Sequence, residues 1–215
     1  CITKDAYKLI VKDEKLNELI KKLKNLETDD IESIANIGSE IRNKIKELSV
    51  SEAVKIAVYG AWNNIGADDF YAVRSSATAE DLPGTSFAGQ QDTYLNIKGY
   101  ENLMGAVQDC WASLFTDRAI NYRIKNGFDH EHVALSVVIQ KMILSEASGI
   151  MFTADPISGN RNVLNIDAGF GLGEALVSGL VTPDFYQVSD SMIINKQISR
   201  KEIGIFPEEA GGTLK

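Results

Sequence analysis

The chain has 215 residues, enough for one substantial core or two small subdomains, and 44 % of them are hydrophobic, which excludes wholesale disorder. With 22 Lys and Arg against 30 Asp and Glu, the net charge is −8. So acidic a chain has no electrostatic footprint for nucleic acid or an anionic membrane surface, although local Arg and backbone N–H groups can still hold a small anion such as a nucleotide. Two cysteines, Cys1 and Cys110, make no disulfide framework, and two histidines, His130 and His132, make no His-rich metal site. The composition reads as a reduced, cytoplasmic protein. No apolar run reaches the roughly 20 residues of a bilayer span, and no signal peptide opens the chain. It begins with Cys rather than Met, so it is expected to start inside a longer protein or to have been processed or trimmed.

Apolar residues at helical spacing predict helices over residues 4–11, 16–26, 31–48 and 53–65, with Asp29 or Asp30 and Ser51 standing where N-caps belong. From Phe70 the texture changes. Residues 70–74 read as a short strand, 75–91 as a long polar segment, and 93–97 as a second strand. Residues 100–126 predict one long amphipathic helix, stopped by Gly127, with Trp111, Leu114 and Phe115 on the face that packs against a sheet. Strands follow at 133–142, 149–153, 162–168, 184–188 and 192–198, with a short helix at 174–180. Helices first and a mainly antiparallel sheet afterwards define an α+β fold.

Three stretches can carry chemistry. In AVRSSATAEDLPGTSFAGQQDTY, Arg74 ends a strand and leads into hydroxyls, small residues and glycines. Such a segment can surround phosphate oxygens with N–H and O–H donors, while Arg supplies a planar fork for two of them. The bland alternative is a long surface loop after a structural Arg. In DAGFGLGEALVSG, three alternating glycines precede a helix start, but Glu174 stands where a dinucleotide fingerprint needs Gly or Ala. A phosphate-binding P-loop ending in Gly-Lys-Ser or Gly-Lys-Thr is absent. The third stretch, SVVIQKM, reads first as a buried core strand, with Gln140 and Lys141 at the end where a purine edge could be read. His130 and His132 read as ordinary surface or turn residues.

The passages AVRSSATAEDLPGTSFAGQQDTYLNIKG, CWASLFTDRAINYRIKNGFDH, VVIQKMILSEASGIMFTADPISGNR and FGLGEALVSGLVTPDFY resemble the ATP-binding domain shared by phosphoenolpyruvate synthase, pyruvate phosphate dikinase and rifampicin phosphotransferase. The resemblance implies an ATP-grasp fold, incomplete at both ends, with a helical part at 1–69 and a core at 70–215 whose segment 75–91 covers the phosphates. It matches Arg74 to the Arg that contacts the nucleotide phosphates and serves catalysis. Gly89, Gln90 and Thr93 match the far side of the covering segment, Gln140 and Met142 the strand near adenine, and Glu174 a residue near the ribose. It implies ATP and Mg2+, with the metal ligands beyond Lys215 and a glycine-rich, Lys-bearing segment before Cys1. The implied partners are phosphohistidine and acceptor domains of the same polypeptide, so that phosphate moves from ATP through a histidine to an acceptor. Pyruvate is the first acceptor expected and rifampicin the alternative, toward which Phe170 in FGLGEAL leans. A reading of a different class is a nucleotide-binding or structural remnant, inactive as this chain.

Overall fold

The computed structural model describes residues 1–77 and 92–214, which divide into two compact units, Cys1–Met142 and Ile143–Lys215. In the first unit four helices precede the sheet: α1 (Lys4–Ile10), α2 (Glu14–Lys22), α3 (Ile31–Glu47) and α4 (Glu52–Gly66). Asp13 caps α2 by accepting from the Leu16 N–H at 2.9 Å. Asp30 and Ser51 do occupy the N-cap positions of α3 and α4, but neither side chain caps its helix. The Asp30 carboxylate turns back to the Glu27 N–H at 2.8 Å.

Helix α3 buries Ile34, Gly38, Ile41 and Ile45, one stripe at helical spacing. Gly38 has a packing reason. A Cβ there would lie 2.9 Å from Ile120 Cδ1 and 3.0 Å from the Phe115 carbonyl oxygen. The close approach also lets Arg42 donate to the Phe115 carbonyl at 2.5 Å and to Asp117 Oδ1 at 3.1 Å.

The three-stranded sheet of this unit has β1 (Phe70–Ala77) at its centre, between β2 (Thr93–Lys98) and β3 (Leu135–Lys141), all antiparallel. Ile2 adds one further antiparallel bridge, to Val137 of β3. Alternation sorts the side chains. Tyr71, Val73, Leu135 and Val137 are buried in the main core, whereas Arg74, Ser76, Thr93 and Gln140 are exposed.

The segment 100–126 is not one helix. It forms α5 (Tyr100–Ser113) and α6 (Asp117–Asn126), separated at Leu114, Phe115 and Thr116. Thr116 caps α6 by accepting from the Ala119 N–H at 3.3 Å, and the freed Phe115 carbonyl is taken by Arg42. The apolar spacing runs through the break because Leu114 and Phe115 are each 1 % exposed in the turn itself. Helix α5 packs on the sheet with Trp111 and Val107 fully buried, and Gly127 ends α6 in the left-handed conformation at φ 68°.

The second unit is an antiparallel meander of β4 (Ala147–Phe152), β5 (Leu164–Phe170), β6 (Asp184–Ser189) and β7 (Met192–Gln197). A short helix α7 (Glu174–Val177) packs on β5, and a small ladder joins β8 (Phe206–Pro207) to β9 (Thr213–Leu214). In the β4–β5 turn, Asp155 accepts from the N–H groups of Ile157 and Ser158, each at 2.8 Å, which holds its carboxyl below the usual range. Among the described residues no helix is long and apolar enough to cross a membrane.

Candidate nucleotide site

Arg74 stands on the central strand β1, directly opposite Thr93 of β2 on one side and Val138 of β3 on the other. Residues paired across an antiparallel sheet project to the same face. One surface therefore carries the Arg74–Thr93 pair, the Ala72–Gln140 pair and the Ser76–Ser136 pair. Phe70 and Lys98 continue it at the start of β1, with the Lys98 ammonium 4.8 Å from the Phe70 ring centroid. None of these residues is acidic, in a chain with 30 Asp and Glu. Among the described residues no ion pair or side-chain hydrogen bond engages Arg74.

This surface is made by local alternation. Val73 points into the core, where its carbonyl faces the buried Cys110 Sγ at 3.7 Å, so Arg74 and Ser76 must point out. Burial pushes the Cys110 thiol up to about 12, which leaves it inert as a nucleophile. At the Gln140 end, Lys141 projects to the opposite side and pairs with Asp69 at 2.6 Å, and this contact raises the ammonium above its ordinary value. The Met142 N–H donates to the Phe70 carbonyl at 2.8 Å and so continues the ladder past the end of β3. That N–H is already paired, which leaves the Met142 carbonyl as its backbone group for a ligand.

The remaining expected residues fall elsewhere. Gly89 and Gln90, with most of the segment 75–91, lie outside the described residues. Glu174 belongs to the second unit, exposed at the first position of α7. The sequence alone does not single out Ser136, although counting back by twos from Gln140 reaches it. His130 lies in a turn, as expected, but not at the surface. It is 6 % exposed and accepts at Nδ1 from the Arg123 Nε–H at 2.9 Å. His132 is exposed and meets Asp129 at 3.0 Å. Among the described residues no group of three or more His, Cys, Asp or Glu side chains is placed to hold a metal ion.

An α+β chain of helices followed by antiparallel sheets has the features of an ATP-grasp-like nucleotide-binding domain. The chain belongs to the family described as pyruvate phosphate dikinase, AMP/ATP-binding domain, which it matches over residues 1–215. It is 53 % identical over 214 residues to rifampicin phosphotransferase of Bacillus subtilis, covering 99 % of this chain and 25 % of that protein. Identity to rifampicin phosphotransferase of Bacillus cereus is 50 %, with the same coverage. It is 48 % identical over 197 residues to phosphoenolpyruvate synthase of Pyrococcus furiosus, covering 87 % of this chain and 24 % of that protein. The chain thus spans about a quarter of the length of these relatives. The family is one of ATP-dependent phosphotransferases.

Proposed function

We propose that the chain binds ATP and, within a longer polypeptide, presents it for transfer of phosphate through a histidine to an acceptor. The observation that carries this reading is Arg74, exposed and unengaged among the described residues, facing Thr93 on a surface whose described cross-strand pairs include no carboxylate. Arg74 would grip phosphate oxygens with its planar fork, and the Thr93 hydroxyl would donate to the same group. Gln140, one row or about 7 Å further along the sheet, and the Met142 carbonyl, one row beyond it, suit the purine edge, whose exocyclic amine is a donor. The resemblance to the family, and not the geometry, further assigns Glu174 to the ribose and Gly89 and Gln90 to the phosphates. Phosphoryl transfer rests on positioning and on neutralising charge, so Arg74 would serve the reaction as well as binding. The acceptor reading that the comparisons favour is rifampicin, because identity is 53 % to that enzyme against 48 % to a phosphoenolpyruvate synthase. Pyruvate is the second reading.

The test is ATP affinity and melting temperature measured together on Arg74→Ala and Arg74→Lys. Arg74→Ala is expected to weaken binding by about 1.5–3 kcal/mol, the range for hydrogen bonds to charged groups. Arg74→Lys should restore little, because a point charge cannot supply a two-pronged contact. A lowered melting temperature with unchanged affinity per folded molecule would make Arg74 a structural residue and sink the proposal. For the acceptor, full-length protein is incubated with ATP and either rifampicin or pyruvate; phosphorylation of pyruvate alone would put pyruvate first and rifampicin second.

A further inference from the structure

We infer that Ser136, together with Ser76, contacts the phosphate of ATP farthest from the base. This inference rests on the reading of Arg74 as a phosphate ligand and extends it to the next row of the sheet. Three cross-strand rows lie in order on one surface: Ala72 with Gln140, Arg74 with Thr93 and Val138, then Ser76 with Ser136. Successive rows on one face of a strand are about 7 Å apart, and neighbouring strands about 4.8 Å. A nucleotide with its base at Gln140 and its phosphates on Arg74 lies along β1, and its tail points to the third row.

That row has the chemistry for an anion. Ser76 and Ser136 are direct partners, so their hydroxyls project side by side, and each can rotate to donate its O–H to a phosphate oxygen. Ser76 is exposed and Ser136 half-buried, so a ligand can reach both. The opposite end of the surface carries Phe70, Lys98 and Gln140, and in the orientation that rests on Gln140 as the base contact it receives the base and not the tail. The Ser136 side of the row comes from β3, 60 residues beyond Ser76 in sequence, and it is brought there only by the register of the sheet.

The experiment compares binding of ATP and AMP to the chain and to Ser136→Ala, Ser136→Asp and Arg74→Ala, with circular dichroism melting to show that each variant is folded. Ser136→Ala is expected to weaken ATP binding about tenfold, the effect of one hydrogen bond to a charged oxygen, and to leave AMP unchanged. Ser136→Asp should weaken ATP further, because a carboxylate there repels the tail, and again spare AMP. If both Ser136 variants bind ATP as the unaltered chain does while Arg74→Ala binds it poorly, the Ser136 assignment is wrong and the Arg74 reading stands. If Ser136→Ala weakens ATP and AMP equally, the hydroxyl acts on the base or on the fold, and the assignment is overturned. ATP binding that Arg74→Ala leaves intact, or no binding by the unaltered chain, removes the proposed function and this inference together.

Discussion

Arg123 donates from Nε to His130 Nδ1 over 2.9 Å, and the two side chains are 1 % and 6 % exposed. The pair closes α6 back onto the turn that follows it, with the Arg123 guanidinium 5.4 Å from the Phe115 ring centroid. To accept this bond His130 must be neutral. Burial first, and the Arg123 cation second, push its pKa down to about 4, while burial lowers Arg123 to about 10 and raises Tyr7 beside it.

The sign of the pH dependence follows. In the unfolded chain His130 takes up a proton near its ordinary value of 6.5, and in the folded chain only near 4. Its contribution to stability is therefore complete above pH 6.5 and is lost as pH falls from there to about 4. Each tenfold difference in proton affinity is worth about 1.4 kcal/mol, so the loss is on the order of 2 kcal/mol once partial access of solvent is allowed for. Asp129, Asp155 and Asp184 are held below their ordinary value of 3.8 and destabilise only below about pH 5, so a range of pH 7 to 5 isolates His130 from them. Urea midpoints between pH 7 and 5 should fall for the unaltered chain and stay level for His130→Asn, which keeps an acceptor without titrating. A level midpoint in the unaltered chain would show that His130 is not the group responsible.

Thr116→Ala should cost about 1 kcal/mol, the usual loss when an N-cap oxygen is removed. Thr116→Ser should recover most of it, since the Oγ that accepts from Ala119 is kept. Equal losses in the two variants would mean that the methyl group, not the cap, matters. Denaturant midpoints with an unchanged slope are the appropriate measure.

Gly38→Ala should destabilise although alanine favours helices, because its Cβ meets Ile120 Cδ1 and the Phe115 carbonyl at 2.9 and 3.0 Å. Overpacking of this kind costs about 1–3 kcal/mol. The displaced α3 should also lengthen the Arg42 contact to Phe115, and a crystal structure of the variant would show it. A stabilised variant would mean that the α3 contact relaxes freely.

In the second unit Asp184 accepts from Lys201 Nζ at 2.5 Å and from the Ser199 N–H at 2.9 Å. Asp184→Asn should release the segment after β7. Hydrogen exchange at the Ser199 amide is expected to accelerate while the amides of β5 keep their protection. Acceleration spread evenly over the sheet would contradict a local role for this carboxylate.

Most helices and strands were legible because period and alternation are local. The four helices before Phe70 and the strands after Val133 lie within a few residues of where those patterns put them. The split between α5 and α6 was hidden because Leu114 and Phe115 are buried in a turn and so keep the helical spacing. Its local sign was Thr116-Asp117, a good N-cap pair inside an apolar run. The burial of His130 depended on Arg123, whose polarity suggests exposure. Arg74 was legible as a strand end before hydroxyls. Its opposition to Thr93 and the line through Ser76, Ser136 and Gln140 needed strand register, which no local pattern encodes.

The order of pairing around β1 also governs when this surface can exist during synthesis. Tyr71 finds its β3 partner only at Lys141, after β2, α5 and α6 have been made. A ribosome that has released β1 and β2 exposes a hairpin-like pair with one bare edge, and such pairs are marginal in water. The central strand then waits, open to wrong neighbours, until β3 emerges. Chaperone dependence and pausing sensitivity should therefore concentrate in the stretch of translation between Lys98 and Lys141.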